Sequence, residues 1–452
     1  MIALLFKNFI RSKGTKFGLL FLFLIGIASL FVGLQFQEKQ NNNIEEARKY
    51  QKEHLTRNVH FHKDEMGLLL YYVKFSFINE TPPITSLSIG QRDVNPSIQS
   101  VTIRGLENQK YDAELHNPTN LLMGNIDFSF VLIYLFPLFI IAFCYTIRSE
   151  EIETGTWRII AVQTQNSNSY LYSLFYIRML VVLSLLTFLF ILATLLLNIP
   201  VDTALIVFYT IAVLYVLFWF AIGFFITSLQ KNSSTNALLL LSIWLILMVI
   251  LPTSINSFVA SKYPIPEALE LTLKQRKAYH EKWDLNKEET LNKFKAHYPQ
   301  FTKYPLPEGE FSWLWYYAMQ QMGDDEAQSE LKNMSEKLQQ RNSLSQTVSQ
   351  FIPSLHTQMK LNEIAKSDFE NQTSFLNATT QFHERMRLYF YPKIFDNAPV
   401  ANEKWDNFVV ETYTDNSKIN FLKSILPLLV FISVLIILGR INLKKQQQQL
   451  LS

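Results

Sequence analysis

The stretch Phe17–Phe36, FGLLFLFLIGIASLFVGLQF, decides the fold because it runs for roughly 20 residues without a charged side chain. A helix rises about 1.5 Å per residue, so this stretch is long enough to cross a hydrocarbon core about 30 Å thick. A cleaved signal peptide is the alternative, but its apolar region is only about 7–15 residues long, and no small-residue cleavage site follows here. The stretch therefore predicts an uncleaved membrane-spanning helix.

Further stretches share this length and composition, and they are Phe128–Ile147, Met179–Ile199, Ala204–Leu229, Ala237–Leu251 and Phe421–Gly439. Of the 452 residues, 49% are hydrophobic and 17% are charged, whereas soluble domains carry about 25% charged residues. The polar remainder is too small to wrap six buried helices. We therefore expect an α-helical polytopic membrane protein with six transmembrane helices.

Lysine and arginine residues near the ends of the spans set the expected orientation. They stand before the first span, in the short connections after the second and fourth spans, and after the last span, at Lys7, Arg11, Lys13, Lys16, Arg148, Arg158, Arg178, Lys231, Arg440, Lys444 and Lys445. With six spans all these segments fall on one side. We therefore expect both termini in the cytoplasm and a location in the bacterial cytoplasmic (inner) membrane.

The alternation of apolar and polar blocks predicts five segments. They are an N-terminal interfacial helix with the first span (1–36), a first periplasmic insert (37–126), spans two to five (127–256), a second periplasmic insert (257–420), and the last span with a cytoplasmic tail (421–452). Residues 2–16 place apolar side chains on one side of a helix and Lys7 and Arg11 on another, as interfacial helices do. A simple positive flank for the first span is the alternative.

The two inserts differ in their patterns. In the first insert, the helix-prone stretch Asn41–Lys63 precedes the alternating Ser100–Ile103, which predicts a short strand and a mixed α/β insert. In the second insert, Leu269–Phe294 and Asp325–Gln340 have amphipathic helical periodicity, so this insert should be mainly helical. Its aromatic run Phe311–Tyr317 fits the core of a helical layer better than a ligand surface or an interfacial belt.

Small and special residues mark the spans. Gly26, Ser29 and Gly33 share one face of the first span, where small side chains let helices approach closely in lipid. Pro137 should kink or loosen the second span. Asp127 stands just before that span and can cap its N-terminus, which we prefer to a role in transport.

The sequence lacks the motifs of the common catalytic, metal and nucleotide-binding sites. The net charge of +3 is too small for a nucleic-acid binder. Cys144 is the single cysteine, which excludes a disulfide framework within one chain and a cysteine-rich zinc site. The sequence has neither a phosphate-binding G-x-x-x-x-G-K-[ST] loop, nor an H-E-x-x-H zinc motif, nor a G-x-S-x-G nucleophile turn. Ionisable residues, which ion-coupled carriers place at mid-membrane, are absent from the depth of the spans. We therefore expect no catalytic residues, no metal site, no cofactor bound by this chain, and a driving force from elsewhere.

The segment between the second and third spans carries the most informative pattern. Glu150, Glu151 and Glu153 suit the first turn of a helix, because carboxylates are stabilised by the helix dipole there. Gly155 and Thr156 permit a change of direction, and the apolar anchors Trp157, Ile159 and Ile160 follow. A helix beneath the membrane could fit a groove on a cytoplasmic partner. An amphipathic connector packed on its own bundle explains the pattern equally well.

The motif E-x-E-x-G-T-x-R, formed by Glu151, Glu153, Gly155, Thr156 and Arg158, resembles that of ABC-2-type ABC transporter permeases. A narrower resemblance is to the branch with large periplasmic insertions after spans one and five, which includes the permease of nitrous oxide reductase maturation. Three stretches carry it: Ser86–Pro96, Asn117–Leu138 and Phe351–Phe395. Trp157 departs from the pattern, because an aliphatic residue is commoner at that position.

The resemblance implies a transmembrane subunit that is not itself an enzyme and that pairs with a second copy or a paralogous permease. Two separate cytoplasmic ABC ATPase subunits would bind ATP and Mg and would dock beneath the pair. The coupling helix would be residues 150–165, comprising Glu150, Glu151, Glu153, Gly155, Thr156, Trp157 and Arg158. Lys231 and Asn232 would make a second ATPase contact, and the N-terminal helix would be an elbow that also meets the ATPase.

The expected function is therefore coupling of ATP hydrolysis to export, or to mechanical work on a periplasmic client. The alternative is a membrane-anchored scaffold whose periplasmic domain binds envelope proteins without transport. A membrane enzyme fits least well, because no acid/base or nucleophile constellation is present. Besides the lipid bilayer and these proteins, no partner is implied, and nucleic acid is not expected.

Overall fold

A computed structural model describes residues 2–110, 125–163, 167–265, 286–309 and 311–451. Within these ranges six helices are long and apolar enough to cross a membrane, and we call them spans 1 to 6. They are Lys13–Phe61, Phe128–Glu153, Asn168–Leu196, Thr203–Ser228, Ser233–Lys262 and Phe421–Lys445. The prediction of six apolar helices is confirmed. Because the long inserts follow spans 1 and 5, they share one end of the bundle, which we call the domain end.

Span 1 continues far beyond the predicted boundary at residue 36. It is one helix of 49 residues, Lys13–Phe61, and at about 1.5 Å per residue it is roughly 70 Å long. The helix-prone stretch Asn41–Lys63 therefore extends span 1 into the first insert. A separate helix, Ile2–Arg11, precedes it. Between them Ser12 caps the long helix by accepting a 3.3 Å bond from the Thr15 amide.

Span 2 contains the predicted irregularity at Pro137. It consists of helix Phe128–Phe130, a π-helical turn Val131–Leu135 and helix Phe136–Cys144, followed by Ser149–Glu153. Proline has no amide hydrogen, so Pro137 cannot bond the carbonyl of Ile133 four residues earlier. The hydroxyl of Tyr215 donates to that carbonyl at 3.0 Å, and the indole of Trp244 donates to the next carbonyl, Tyr134, at 3.2 Å. Neighbouring spans thus satisfy the backbone groups at the break.

Span 5 also has a π-helical turn beside a proline, with a backbone carbonyl that bonds a side chain from another helix. Helix Ser233–Leu245 is followed by a π-helical turn Ile246–Ile250 and helix Leu251–Lys262, with Pro252 just after the turn. In a π-turn the donor lies five residues ahead, and for Leu247 that residue is Pro252. The hydroxyl of Ser354 donates to the Leu247 carbonyl at 2.6 Å instead.

Spans 3, 4 and 6 complete the bundle. Span 3 is the helix Ser167–Leu196, span 4 is Thr203–Ser228, and the helix of span 6 runs over Phe421–Leu451. Span 4 lies at the centre, where Tyr215 and Trp219 are fully buried. Asp202 caps span 4 by accepting a 3.0 Å bond from the Leu205 amide. The apolar core of the bundle extends into both inserts through Ile84, Leu87, Leu361 and Ile364.

Both inserts fold into one domain, which the segmentation at 37–126 and 257–420 did not predict. Strand β1, Phe75–Asn79, pairs antiparallel with β2, Ile98–Val101, and parallel with β3, Glu411–Tyr413. Strands β1 and β2 belong to the first insert and β3 to the second, so the sheet of order β2–β1–β3 joins them. We call this unit the extramembrane domain.

The predicted strand Ser100–Ile103 lies two residues earlier than expected. Strand β2 ends at Val101 because the Thr102 amide donates to the Gln109 side chain at 2.8 Å and leaves the ladder. The other short elements of the first insert are helices Met66–Tyr72 and Glu107–Lys110 and the 3-10 turns Pro83–Leu87 and Gly90–Asp93.

Helices dominate the second insert, as predicted. They are Lys287–His297, Trp313–Ser349, Pro353–Ile364 and Phe369–Phe395, with 3-10 turns Pro299–Phe301, Val400–Asn402 and Trp405–Asn407. Asp325–Gln340 is helical within Trp313–Ser349, whereas residues 269–285 of the other predicted helix lie outside the described part. Leu314–Tyr317 are buried in the domain core and Phe311 is half exposed, which supports the core interpretation of the aromatic run.

Candidate functional site

The segment with the E-x-E-x-G-T-x-R motif lies at the end of the bundle opposite the domain end, and it forms two short helices. Ser149–Glu153 and Thr156–Gln163 meet at Gly155, whose φ of +77° is a left-handed conformation that glycine adopts without strain. The predicted coupling helix over 150–165 therefore consists of two short helices, and the chain turns between them at Gly155, where the sequence permits a change of direction. Residues 164 and 165 lie outside the described part.

Glu151 braces this turn from within. Its carboxylate accepts hydrogen bonds from the hydroxyl of Thr156, on the far side of the turn, and from the hydroxyl of Tyr170 at 3.2 Å. Tyr170 belongs to span 3, so a single half-buried carboxylate holds the turn together and fixes it to that span.

Glu153 ties the turn to the connection between spans 4 and 5. It accepts bonds from the Ser233 amide at 2.7 Å and from the Ser233 hydroxyl at 3.0 Å. The Ser233 hydroxyl is also 2.8 Å from that of Ser149. The structure thus brings the predicted second contact next to the motif: Lys231 is exposed, and Asn232 caps span 5 by accepting a 2.8 Å bond from the Thr235 amide.

Trp157 serves internal packing in this arrangement. The guanidinium of Arg148 lies 4.8 Å from the centre of its ring, and the indole is half-buried. The side chain of Arg158 lies outside the described part. Glu150, Ile152, Thr154, Gly155 and Ile159 are exposed, and we call these five residues the coupling patch; Glu153 and Thr156 are exposed as well but make the hydrogen bonds described above. Ile152 and Ile159 are 42% and 59% exposed, so the patch has an apolar centre beside a carboxylate.

The N-terminal helix Ile2–Arg11 packs next to this region. The ring of Phe9 meets Phe143 of span 2 edge-on at 5.4 Å, and the guanidinium of Arg178 in span 3 lies 5.5 Å from the same ring. The helix therefore touches the two spans that flank the motif.

The small residues of span 1 have different partners. A side chain at Gly26 would lie 2.6 Å from Leu189 of span 3, so this glycine does allow a close approach between spans. Ser29 is buried, and its hydroxyl donates to the Gly26 carbonyl at 2.7 Å. At Gly33 a side chain would collide with the backbone carbonyl of Ser86, in the first insert. The expected stripe of span packing therefore ends before Gly33.

Asp127 caps span 2 as predicted and makes a second bond as well. One carboxylate oxygen accepts the Phe130 amide at 2.8 Å, and the other accepts the Ile89 amide of the first insert at 2.8 Å. Ile89 lies in the motif Ser86–Pro96, whose Arg92 is buried. The resemblance includes this motif but implies no role for Arg92. A charged residue in a Gly-Gln-Arg-Asp turn gives no local signal of burial.

In the part of the chain that the structure describes, no group of three or more His, Cys, Asp and Glu side chains could hold a metal ion. The comparisons give one match: a family described as a domain of unknown function, DUF3526, matches residues 269–413, less than half of the chain. No curated protein and no solved structure matches. The matched range ends at the last residue of β3, so it covers the part of the extramembrane domain that the second insert supplies.

Proposed function

We propose that this chain is the transmembrane subunit of an ABC transporter, of the ABC-2 permease type that its motifs resemble. In this proposal two copies, or one copy and a paralogue, pair in the bacterial cytoplasmic membrane with both termini inside. Separate cytoplasmic subunits bind ATP and Mg and supply the energy. The observation that carries the proposal is the braced turn at 149–163 with its exposed coupling patch.

The bonds of the turn suit transmission of force. Ser149–Glu153 belongs to span 2, Glu151 is bonded to Tyr170 of span 3, and Glu153 is bonded to Ser233 of span 5. A push on the coupling patch would therefore reach three spans at once. An amphipathic connector that only packs on its own bundle needs no such hydrogen bonds to other spans. These bonds therefore favour a segment that transmits force from a partner over a simple connector.

The nature of the spans favours mechanical work or an apolar substrate. Their apolar character leaves few polar groups to replace the hydration of a hydrophilic solute. Span 1 is also continuous with the extramembrane domain as one helix. Movement at the membrane would therefore reach that domain directly, and a client bound there could be the object of the work.

A pulldown from native membranes tests the proposal. The wild-type chain should co-purify with a protein that carries a phosphate-binding loop and hydrolyses ATP. The double change Ile152→Asp and Ile159→Asp should abolish that complex, because it places two charges at the apolar centre of the patch. The control is Phe351→Asp, which charges a 73% exposed aromatic residue at the domain end and should leave the complex intact. A complex that survives the double change would refute the role of the patch.

The scaffold remains a second candidate, favoured by an extramembrane domain with its own large aromatic core. A scaffold would bind envelope proteins equally well with the double change at the coupling patch, and it would purify without an ATPase. Purification from the same membranes without an ATPase, or binding of envelope proteins that the double change leaves unaltered, would decide for the scaffold.

A further inference from the structure

The extramembrane domain meets the bundle at a polar cluster centred on Arg92. Four chain segments converge there: Asn79–Thr81 at the end of β1, Gly90–Asp93, Lys366–Asp368, and Asp415–Ser417 before span 6. We call this cluster the neck. Each segment joins the domain to a part of the chain that packs on the spans.

Arg92 binds three of the neck's backbone carbonyls with one guanidinium. Its Nε donates to the Lys366 carbonyl at 2.9 Å, Nη1 to the Asn79 carbonyl at 3.3 Å, and Nη2 to the Glu80 carbonyl at 2.7 Å. The residue is only 4% exposed. Burial lowers the pKa of Arg92 to about 10, partly opposed by Asp415 and Asp368, so the side chain stays charged at neutral pH.

Two asparagines continue the network toward span 6. The side-chain amide of Asn79 donates to the side-chain oxygen of Asn371 at 3.0 Å, and the side-chain amide of Asn371 donates to the carboxylate of Asp415 at 3.0 Å. The ammonium of Lys366 is 3.4 Å from the same carboxyl group of Asp415. A lost partner in such a buried network leaves an unsatisfied group, which costs more than an exposed bond is worth.

Gly90 brings the neck to the start of span 2. Its φ of +52° lets the Gln91 amide donate to the Ser367 carbonyl at 2.8 Å, and a side chain at Gly90 would lie 2.7 Å from that carbonyl oxygen. The preceding amide, Ile89, bonds the capping carboxylate Asp127.

The helix Pro353–Ile364 connects the neck to spans 5 and 6. At its C-terminal end Asn362 accepts a 2.6 Å bond from the Ser88 hydroxyl. At its other end Ser354 bonds the Leu247 carbonyl of span 5, and the imidazole of His356 lies 2.9 Å from the Ser424 carbonyl of span 6. The helix is thus fixed to the neck at one end and to two spans at the other.

We infer that the neck is a rigid joint, with Arg92 at its centre, through which the extramembrane domain and the domain ends of spans 2, 5 and 6 move as one body. A flexible tether would leave its polar groups to water, whereas here the side chains of Asn79, Arg92 and Asn371 are buried and hydrogen-bonded to one another or to the neck backbone. The proposed function supplies the purpose of this joint, which is to deliver motion from the spans to a client. The rigidity itself does not depend on that function.

Double electron–electron resonance spectroscopy tests whether the joint is rigid. The distances are measured on the chain alone, in nanodiscs without any ATPase. Spin labels are placed at Phe258→Cys, on an exposed site at the domain end of span 5, and at Asn292→Cys, on an exposed site of the domain, in a Cys144→Ala background. The wild-type neck should give one narrow distance distribution. Arg92→Ala should lose the narrow distribution, and Gly90→Ala should broaden it without unpairing the buried charge.

The matched control is Arg385→Ala, which removes an arginine 58% exposed and paired with Glu411 in the same domain, and which should keep the narrow distribution. The fold of each variant is checked by a disulfide between Ser76→Cys and Ser100→Cys, whose hydroxyls lie 2.8 Å apart on β1 and β2. If Arg92→Ala does not form this disulfide, the distance distribution of Gly90→Ala decides whether the neck is rigid. A broad wild-type distribution, or a narrow one in a folded neck variant, would overturn the inference. An absent ATPase would overturn only the proposed function.

Discussion

Gly155 isolates the contribution of a single backbone conformation to the stability of the turn at 149–163. Its φ is +77°, and among the described residues no atom lies within 4 Å of the position that a Cβ atom would take. Gly155→Ala should therefore destabilise the turn by about 1–2 kcal/mol through backbone strain alone, and Gly155→Asn by less, because asparagine tolerates this region better. Hydrogen exchange of residues 149–163 measures the effect.

The control for this prediction is Gly14→Ala near the start of span 1. The helical backbone of Gly14 suits alanine, and the nearest neighbour of a new side chain would be the Ser12 hydroxyl at 3.9 Å. Exchange should stay the same or slow down there. Faster exchange at both glycines would mean that the conformation at Gly155 is not the cause.

His383 should make the extramembrane domain sensitive to acid. The imidazole is 2% exposed and 2.9 Å from the Thr102 carbonyl. Burial, with the nearby charge of Arg387, lowers the pKa of His383 well below its usual value of about 6.5. The folded domain keeps it neutral while the unfolded chain takes up a proton, so the free energy of unfolding should fall as the pH falls below about 6.5.

Thermal unfolding followed by tryptophan fluorescence measures this effect, with a lower midpoint expected at pH 5 than at pH 7. His383→Gln should reduce the difference. Asp368 acts in the opposite sense, because burial raises its pKa to about 6 and its stabilising contribution grows as the pH falls toward 4. An unchanged pH dependence in His383→Gln would exclude the imidazole as the source.

For the motif residues, residue type predicted the local backbone conformation but not the partners of the side chains. The sequence placed Glu151 and Glu153 in a helical turn and Gly155 at a change of direction, and the structure has both. It did not show that these two carboxylates face Tyr170 and Ser233, because both partners come from other spans. Exposure of Ile152 and Ile159 is likewise set by packing, which periodicity over eight residues does not resolve.

At the scale of elements, the continuous helix of span 1 connects membrane and domain, and a break in it should be costly. Lys39 is exposed, so Lys39→Pro removes no side-chain contact but deletes a backbone bond and clashes with the preceding turn. We expect a loss of about 3 kcal/mol in stability, measured as a lower thermal midpoint.

The same helix offers its own control. Lys13 is the first residue after the cap Ser12, a position where proline is tolerated because the amide there has no helical partner. Lys13→Pro should therefore leave the midpoint close to that of the wild type. Equal losses in the two variants would show that the interrupted helix is not the cause of the lower midpoint.

The π-turn of span 2 makes a prediction of non-additivity. Tyr215→Phe removes the donor to the Ile133 carbonyl, at a cost of about 0.6 kcal/mol or somewhat more for a bond within a membrane bundle. Pro137→Ala restores an amide that can bond the same carbonyl. Tyr215→Phe should therefore destabilise the Pro137→Ala background less than the wild type, which a double-mutant cycle of thermal midpoints measures. Strict additivity would contradict this pairing.

Elements that depend on local sequence were the predictable ones. Hydropathy located six spans, and the cap at Asp127 and the irregularity at Pro137 follow from residue type alone. The donors that satisfy the broken backbone, Tyr215 and Trp244, come from spans 4 and 5 and have no signature in the sequence. The length of span 1 was missed because polar residues after Phe36 indicated a change of segment, whereas they mark only the exit from the apolar layer.

At the scale of the whole molecule, the sheet is what the sequence least revealed. Strand β3 has three residues and pairs with a strand from the other insert, with the rest of the first insert, four spans and most of the second insert lying between them in sequence. Such a pairing is set by the tertiary fold, and strands this short carry little pattern of their own. The domain family matched over 269–413 therefore describes a sequence that, in this chain, completes its sheet with residues from the first insert.

That dependence makes the last prediction. Expressed alone, residues 257–420 should lack fixed tertiary structure, while the same residues joined by a linker to 37–126 should fold. Without the first insert, Phe382 loses its stacked partner Phe77 at 4.8 Å. The buried guanidinium of Arg387 loses the carbonyls of Ile103 and Arg104, at 3.1 and 2.7 Å. The ion pair of Arg387 with Asp324 lies within the second insert and remains, but buried N–H groups without acceptors and an open aromatic core each oppose folding.

Near-ultraviolet circular dichroism and the dispersion of amide resonances distinguish the two outcomes. In the joined fragment, Phe77→Ala should lower the free energy of unfolding by about 3–5 kcal/mol, since it opens a cavity between Phe375 and Phe382. Asp406→Ala, an exposed change in the same domain, should have little effect. Well-dispersed resonances from 257–420 alone would show that the second insert folds independently. The sheet would then be a docking contact between two domains, and force reaching the first insert through span 1 would have to cross that contact.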